Sequence, residues 1–374
     1  MEHFDVQVRG SGAVGRTLAL MLARQGLRVA LRGHAAATGS APDVRAYALN
    51  AASVGMLRAL KVWQALPAHA ATPVHDMHVE GDAEGAVLEF SAWEQQVTEL
   101  AWIVDAAALE RELAAAVRFS PHITEIGGAS GVGADLTADL TALCEGRESA
   151  AREALGVSFE RVDYGQRAVA ARLTSSRAHA NTARQWFRSP DVLALLPFDQ
   201  PEPQSSYALV WSLPSARAQE LLAHDDAAFE QALMDATGGA AGSLKLASPR
   251  MSWPLMRAEA GAWCGPGWVL LGDAAHVVHP LAGQGLNLGL ADVAVLDRVL
   301  SAREWRSAGD ERLLRRYARE RAMPTWAMGR LTEGLLTLFG HTRPEVRELR
   351  NRGLTLVNHL TPVKRWLASR ALDS

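Results

Sequence analysis

Val6 and Val8 alternate with polar neighbours near the start of the chain, a period-two run that predicts a short strand. Leu18, Leu22 and Ala23 then recur at helical spacing, and Gly26 stands where such a helix stops. Val29 to Leu31 give a second strand. Further on, Asn50 is placed to cap a helix through "AASVGMLRALKVW", with Val54, Leu57, Leu60 and Lys61 at i, i+3, i+6 and i+7. "VHDMHVEG" and "AVLEF" read as a hairpin-like strand pair. The apolar run "AWIV" predicts a strand, after which Asp105 caps a helix reaching Val117. "LTALCEG" predicts a buried strand ending at Gly146.

Between about Val157 and Pro254 the pattern changes. "RAVAARLT", "ARQWFR", "VLALLPF" and "YALVWSLP" suggest an antiparallel sheet, interrupted by a helical insert from Ala216 to Ala236. "WVLLGD" restores a buried strand, with Asp273 as its last residue, and a helix follows from near Leu286. From Asp310 onward the pattern is helical, with Pro324, Pro344 and Pro362 as boundaries. The fold expected is α/β, a Rossmann-like domain with an inserted antiparallel sheet domain. The nucleotide-binding domain takes residues 1–68, 100–156 and 257–305, the sheet domain 69–99 and 157–256, and a helical C-terminal region 306–374.

A length of 374 residues accommodates two domains, and 48% apolar with 21% charged residues is ordinary for a globular protein. A net charge of -3 gives no basic field for nucleic acid. Cys144 and Cys264 form neither a metal-ligand spacing nor a disulfide framework, so no metal is expected and a reducing cytoplasm is. Neither a signal-peptide pattern nor an apolar run of ~18 residues occurs. The eleven tryptophans read as packing residues. The basic stretch from Val346 onward can rest on the inner membrane or a partner; the more ordinary outcome is a solvated helix face.

Two stretches carry candidate chemistry. Gly10, Gly12 and Gly15, with Ser11, Ala13 and Val14 between them, fill G-x-G-x-x-G between a strand and a helix. There a dinucleotide pyrophosphate can rest on the helix N-terminus. The second strand of such units normally ends in an acid that holds ribose hydroxyls, whereas here it ends in Arg32 and Gly33. An Arg also suits a 2′-phosphate, so this stretch alone leaves the dinucleotide open. The second stretch is "GDAAHVVHPLAGQGLNLGL", from Gly272 to Leu290. Its Asp273 can accept hydroxyl hydrogen bonds, Gly283 and Gly285 let a loop run against a flat ring, and the next helix aims its N-terminal dipole at that ring.

"LLGDAAHVVHPLAGQGLNLGL" resembles the second FAD motif of the flavoprotein aromatic hydroxylases of the para-hydroxybenzoate hydroxylase type, most closely their ubiquinone-biosynthesis subfamily. "RAYALNAASVGMLRALKVW" and "DYGQRAVAARLTSSRAHANTARQWF" are similar to the same subfamily, so the resemblance spans nearly the whole chain. It implies FAD as held cofactor, NAD(P)H as transient reductant and O2 as substrate. It also implies an aromatic, prenylated quinone precursor that attacks a flavin C4a-hydroperoxide. Gly10, Gly12 and Gly15 would receive the pyrophosphate, Arg45 would contact the flavin, and Gly272 and Asp273 would hold the ribityl and pyrophosphate region. Pro280, Gly283, Gln284, Gly285, Leu286 and Asn287 would border the isoalloxazine. In "CEGRESAAR", Gly146, Ser149 and Arg152 match the family's middle motif.

There are three departures from the family pattern: Gly33 replaces the ribose-binding Glu, Glu145 an Asp, and the pair Ala106 and Ala107 stands where relatives often place a polar or Arg side chain. They support a rival reading, a non-catalytic paralogue serving as an assembly or lipid-presenting subunit. A third reading, an NADP-dependent dehydrogenase, draws only on Arg32. His276 and His279 invite acid–base assignment, and the motif match puts His279, a candidate proton relay, nearest the ring. No other catalytic side chain is named.

Overall fold

The computed structural model describes residues 2–33, 43–83, 85–127, 136–279 and 284–340. Its first sheet has six strands in the order Cys264–Gly265, Trp268–Leu270, Leu136–Leu143, Glu2–Arg9, Val29–Arg32 and Ile123–Ile126. All its ladders are parallel except the short Cys264–Gly265/Trp268–Leu270 hairpin. Helices cover it because its strands are apolar on both faces: Val6, Val8, Val29, Leu140 and Val269 are buried on one, and Ala30, Leu143 and Leu270 on the other. The helix Ala13–Arg24 packs against Ala106–Arg118 and Gln284–Ser301, and the last of these against Glu311–Gly340.

A three-stranded sheet, Ala46–Leu49, Ala101–Asp105 and Ala71–Val74, lies beside this core. The large sheet is built on Phe159–Ser175, which pairs antiparallel with Met251–Ala260 on one side and Ser206–Pro214 on the other. Asp191–Phe198 and Thr182–Arg188 continue it antiparallel. The next pairing, Thr182–Arg188 with Asp76–Glu80, is parallel, a departure from the wholly antiparallel expectation. Asp76–Glu80 and Val87–Ser91 form the expected antiparallel pair.

The two faces of the large sheet differ. Val169, Leu173, Trp186, Leu195, Tyr207 and Trp211 pack under the helices Ser215–Ala223 and Asp226–Thr237, with Phe229 and Leu233. Trp186, Tyr207 and Trp211, from "ARQWFR" and "YALVWSLP", are therefore core residues of the insert. Alternation along each strand places Ala168, Ala170, Val210 and Trp253 on the opposite face. At one end that face meets the three-stranded sheet, where Phe198 packs with Val74, Ala101 and Ile103.

Other local expectations also meet the structure. Asn50 accepts from the Ser53 N–H, Asp105 from the Ala108 N–H, and Gly26, at φ +81°, ends its helix. Pro324, expected as a boundary, lies inside the helix Glu311–Gly340. Its position is exposed, so water can satisfy the carbonyl that the missing N–H leaves free. Pro344 and Pro362 lie outside the described residues.

Candidate functional site

The glycine-rich turn closes on two kinds of contact. A Cβ on Gly10, whose φ is +109°, would lie 2.2 Å from the Cys144 carbonyl oxygen, and one on Gly15 would lie 1.9 Å from the Gly10 oxygen. These two glycines are required by the protein's own packing. A Cβ on Gly12, by contrast, would meet nothing within 4 Å. Gly12 is the N-cap of Ala13–Arg24, a helix with no side-chain cap and no acid in its first turn. The helices after Asn50, Asp105, Ser149 and Asp225 each have a capped N-terminal amide. The turn therefore presents unserved backbone donors beside open space, as an anion site requires.

The neighbouring residues divide by role. Val14 packs between Gly272 and Gly289: Cβ atoms built on those glycines would lie 3.3 and 2.7 Å from its Cγ2. Ala13 is buried. The second strand ends at Arg32, which is exposed and whose carbonyl accepts from the Gly10 N–H at 2.8 Å. A Cβ on Gly33 would lie 2.6 Å from Ser11 Oγ, so the serine occupies the space over Gly33.

Trp268–Leu270 ends earlier than the pattern suggested, so Asp273 falls in the 3₁₀ turn Gly272–Ala274 rather than on the strand. Gly272, at φ +58°, diverts the chain, and its N–H is taken at 2.8 Å by Asp292. Asp273 reaches solvent and has no hydrogen-bond partner among the described residues. Packed protein around it nonetheless raises its carboxyl pKa by desolvation, the signature of a carboxylate in a cleft. The chain then enters the other sheet: His276–Val277 pairs with Glu259 and Ala258. This crossover puts the second motif between the two large sheets.

Beneath the motif lies a buried charge cluster that the sequence reading missed. Asp292 accepts from Arg321 Nε at 2.7 Å and lies 2.7 Å from His276 Nε2, while His276 stacks on Trp263. Burial opposes ionisation of Asp292, but His276 and Arg321 outweigh it and hold its pKa low. An Asp among the apolar positions of "LNLGLADVAVL" was the available signal; nothing local marked Arg321. His279 lies past the edge strand, 2% exposed, with its ring 5.2 Å from Tyr164 in T-shaped contact. Neither ring nitrogen has a hydrogen-bond partner, and burial lowers the imidazole pKa to about 4.

Pro280 and Gly283 lie outside the described residues. Gln284, Gly285, Leu286 and Asn287 form the first turn of Gln284–Ser301. Gly285 is helical, so no special backbone angle explains it; a Cβ there would meet nothing within 4 Å. Asn287 is buried and ties elements together: its Oδ1 accepts from Ser53 Oγ and the Asn50 N–H, and its Nδ2 donates to the Ala48 carbonyl. Leu286 packs on the core.

Arg45 is held by Asp43, with Nε–Oδ1 at 2.9 Å and a terminal nitrogen 2.7 Å from Oδ2, and its pKa is raised first by that hydrogen bond. Its carbonyl accepts from Arg172, missed in sequence, which also reaches Asp105 at 3.1 Å and so joins the large sheet to this side. Glu145 receives Ser149 Oγ and the Ala151 N–H and pairs with Arg9 at 2.9 Å. The buried guanidinium of Arg152 donates to the carbonyls of Ala274 and Arg147, binding the middle motif to the second. Ala106 is fully buried, its N–H donating to the Arg45 carbonyl. Among the described residues no cluster suits a metal ion.

A family model described as an FAD binding domain matches residues 3–332. The ubiquinone hydroxylase UbiL of Rhodospirillum rubrum is 29% identical over 390 residues, covering 99% of this chain and 90% of the relative. The 3-demethoxyubiquinol 3-hydroxylase of Escherichia coli is 29% identical over 394 residues, 98% of each. In fold the chain matches PqsL of P. aeruginosa, solved with 2-aminobenzoylacetate, with a TM-score of 0.78 at 21% identity over 94% of this chain and 99% of that one. It matches HpxO of Klebsiella pneumoniae, solved with FAD and uric acid, with a TM-score of 0.74 at 16% identity over 99% and 97%. With an uncapped glycine turn and the second motif set between two sheets, the chain belongs to the FAD binding domain family.

Proposed function

We propose that this protein is an FAD-dependent monooxygenase that hydroxylates an aromatic ring, with NAD(P)H as reductant and a lipophilic quinone precursor as substrate class. The observation that carries the reading is the pairing of two glycines that the protein's own packing does not require. Gly12 and Gly285 both front open space at helix starts, one in each motif. The residues fit the cofactor: the Gly12 turn would take the pyrophosphate, Asp273 the ribityl hydroxyls, and Gly285 the flank of the ring. FAD, when bound, supplies the hydride acceptance and oxygen activation that no side chain here offers.

The chain's own residues do the rest. The backbone N–H groups at the start of Gln284–Ser301 would favour negative charge on a flavin held beside them. Asn287 locks that start to Ala48, Asn50 and Ser53, Arg152 ties the middle motif to the turn that bears Asp273, and Arg45 adds a cation steadied by Asp43. The half-buried face of the large sheet with Val210 and Trp253 offers a water-poor, apolar floor for a ring with a tail. The family resemblance and the hydroxylase relatives support a quinone precursor; association with a membrane surface is part of the same proposal, and no described helix is long and apolar enough to cross a membrane.

Two of the departures that favoured a non-catalytic paralogue are absorbed structurally, since Glu145 caps and pairs within its motif and Ala106 is core. The test is purification of the full chain, followed by NAD(P)H-driven turnover of a phenolic lipid under isotopically labelled O2. A yellow protein with about one FAD per chain, inserting labelled oxygen into the ring, is expected. A colourless protein that takes up no FAD would leave the paralogue reading in its place.

A further inference from the structure

The second strand of a dinucleotide unit ordinarily ends in a carboxylate that holds the adenosine ribose hydroxyls. Here it ends in Arg32, which cannot accept a hydrogen bond, and Gly33, which has no side chain. The place is not bare, however. The Gly10 N–H donates to the Arg32 carbonyl at 2.8 Å, which sets the glycine-rich turn directly against the strand end. Ser11 is the next residue of that turn, and its Oγ stands 2.6 Å from where a Cβ on Gly33 would lie. A serine hydroxyl thus occupies the root of the missing side chain. That hydroxyl is available to a ligand. Ser11 is half-buried, its Oγ is not enclosed, and it makes no hydrogen bond among the described residues. There is room beside it: Gly12 is exposed, and a Cβ built on it would meet nothing within 4 Å. Gly127, after the neighbouring strand Ile123–Ile126, adds no side chain over Gly33 either.

We infer that Ser11 holds the adenosine ribose of FAD in place of the absent carboxylate. Its Oγ accepts a hydrogen bond from one of the two vicinal ribose hydroxyls, and its own proton goes to the oxygen of the other, since a hydroxyl is both donor and acceptor. This rests on the proposed FAD site and names the side chain that reads the adenosine half of the cofactor. A neutral hydroxyl binds a ribose hydroxyl about half as strongly as a carboxylate does. The adenosine is therefore held more loosely than an acid at position 33 would hold it, and the Gly12 turn and the flavin ring carry the larger share of the affinity. The departure at Gly33 is in this way compensated inside the first motif, as those at Glu145 and Ala106 are compensated in theirs.

The experiment titrates three flavins into apoprotein of the full chain, with binding read by flavin fluorescence. They are FAD, an FAD analogue lacking the 2′- and 3′-hydroxyls of its adenosine, and FMN, which lacks the adenosine altogether. Ser11→Ala removes the hydroxyl, Ser11→Gly removes it in a second form, and apoprotein melting establishes that each is folded. Wild type is expected to bind FAD roughly three- to tenfold more tightly than the analogue, the range for one neutral hydrogen bond. In Ser11→Ala that preference falls toward one, while FMN binds as in wild type. A Ser11→Ala preference for FAD over the analogue equal to that of wild type overturns the inference, and so does a wild type that binds the two alike. If Ser11→Ala does not fold, the preference of Ser11→Gly decides in the same way. Failure of wild type to bind either FAD or FMN overturns the FAD reading itself, a result distinguishable from a loss confined to the adenosine hydroxyls.

Discussion

Asp292 and Arg321 meet inside the protein, the carboxylate oxygen 2.7 Å from Nε, with Asp292 wholly buried. The same carboxylate holds the Gly272 N–H and faces His276, so the last helix steadies the turn that bears Asp273. Asp292→Ala leaves a buried guanidinium unpaired, and breaking such a pair costs about 3–5 kcal/mol. We expect a fall of that order in urea denaturation, together with weaker FAD binding. Asp292→Leu combined with Arg321→Met removes both charges and recovers much of the stability but not the FAD affinity, because Gly272 still lacks its anchor. Since the Asp292 pKa is lowered, the pair's contribution is present at neutral pH and fades as pH falls below about 4. A single variant as stable as wild type would refute the coupling.

Gly10 and Gly12 stand two residues apart and should respond oppositely to a methyl group. Gly10→Ala drives a Cβ into the Cys144 carbonyl at positive φ, so the apoprotein itself should lose stability. Gly12→Ala places its Cβ in open space and should leave apoprotein melting close to wild type while weakening FAD at least several-fold. Thermal melting of the apoproteins beside FAD titration separates the two. Equal FAD affinity in Gly12→Ala and wild type would mean that no anion approaches this turn. Gly285→Val belongs with Gly12→Ala: unaltered melting and impaired flavin binding.

The two βα motifs were legible because each is local: a strand period of two, glycines at fixed offsets, then a helical period. The caps at Asn50 and Asp105 were legible for the same reason, as short-range side-chain to backbone bonds. What could not be read was tertiary. Asp292 and Arg321 lie 29 residues apart on different helices, and only packing brings them together. Trp186 and Trp211 read as packing residues, but alternation alone does not say which face of the large sheet the helices Ser215–Ala223 and Asp226–Thr237 will cover. The strand end at Leu270, three residues before Asp273, depends on a φ value at Gly272 fixed by a remote carboxylate.

Ser11 and Gly33 form a pair that the sequence pattern alone did not connect. The family pattern suggested that Gly33→Glu, by restoring a ribose acceptor, tightens FAD. In the structure Ser11 Oγ stands 2.6 Å from where the new Cβ would go, and Ser11 Cβ 3.1 Å. The Glu must therefore push Ser11 into the turn. We expect Gly33→Glu alone to give no gain or a loss in FAD affinity, and the gain to emerge in a Ser11→Gly background. Titrating FAD into the four proteins of this cycle gives the coupling. The same gain in both backgrounds would show that Ser11 yields freely and does not control the position.

His279 should also leave a mark on stability against pH, independent of any ligand. Its folded pKa is about 4, lowered by burial from an ordinary 6.5. In the window between those values the unfolded chain binds a proton that the folded protein refuses. Stability therefore falls as pH drops from about 6.5 toward 4, by a total of about 3 kcal/mol for this group. His179, also lowered by burial, tilts the curve the same way, while Asp191, raised to about 6, tilts it the other way. The informative quantity is thus the difference between wild type and His279→Leu in urea denaturation at several pH values. The variant should lose less stability than wild type between pH 6.5 and 4, with the two curves parallel above 7. Parallel curves across the whole range would show that the imidazole protonates as readily in the fold as in the unfolded chain, and that it is not enclosed as the structure places it.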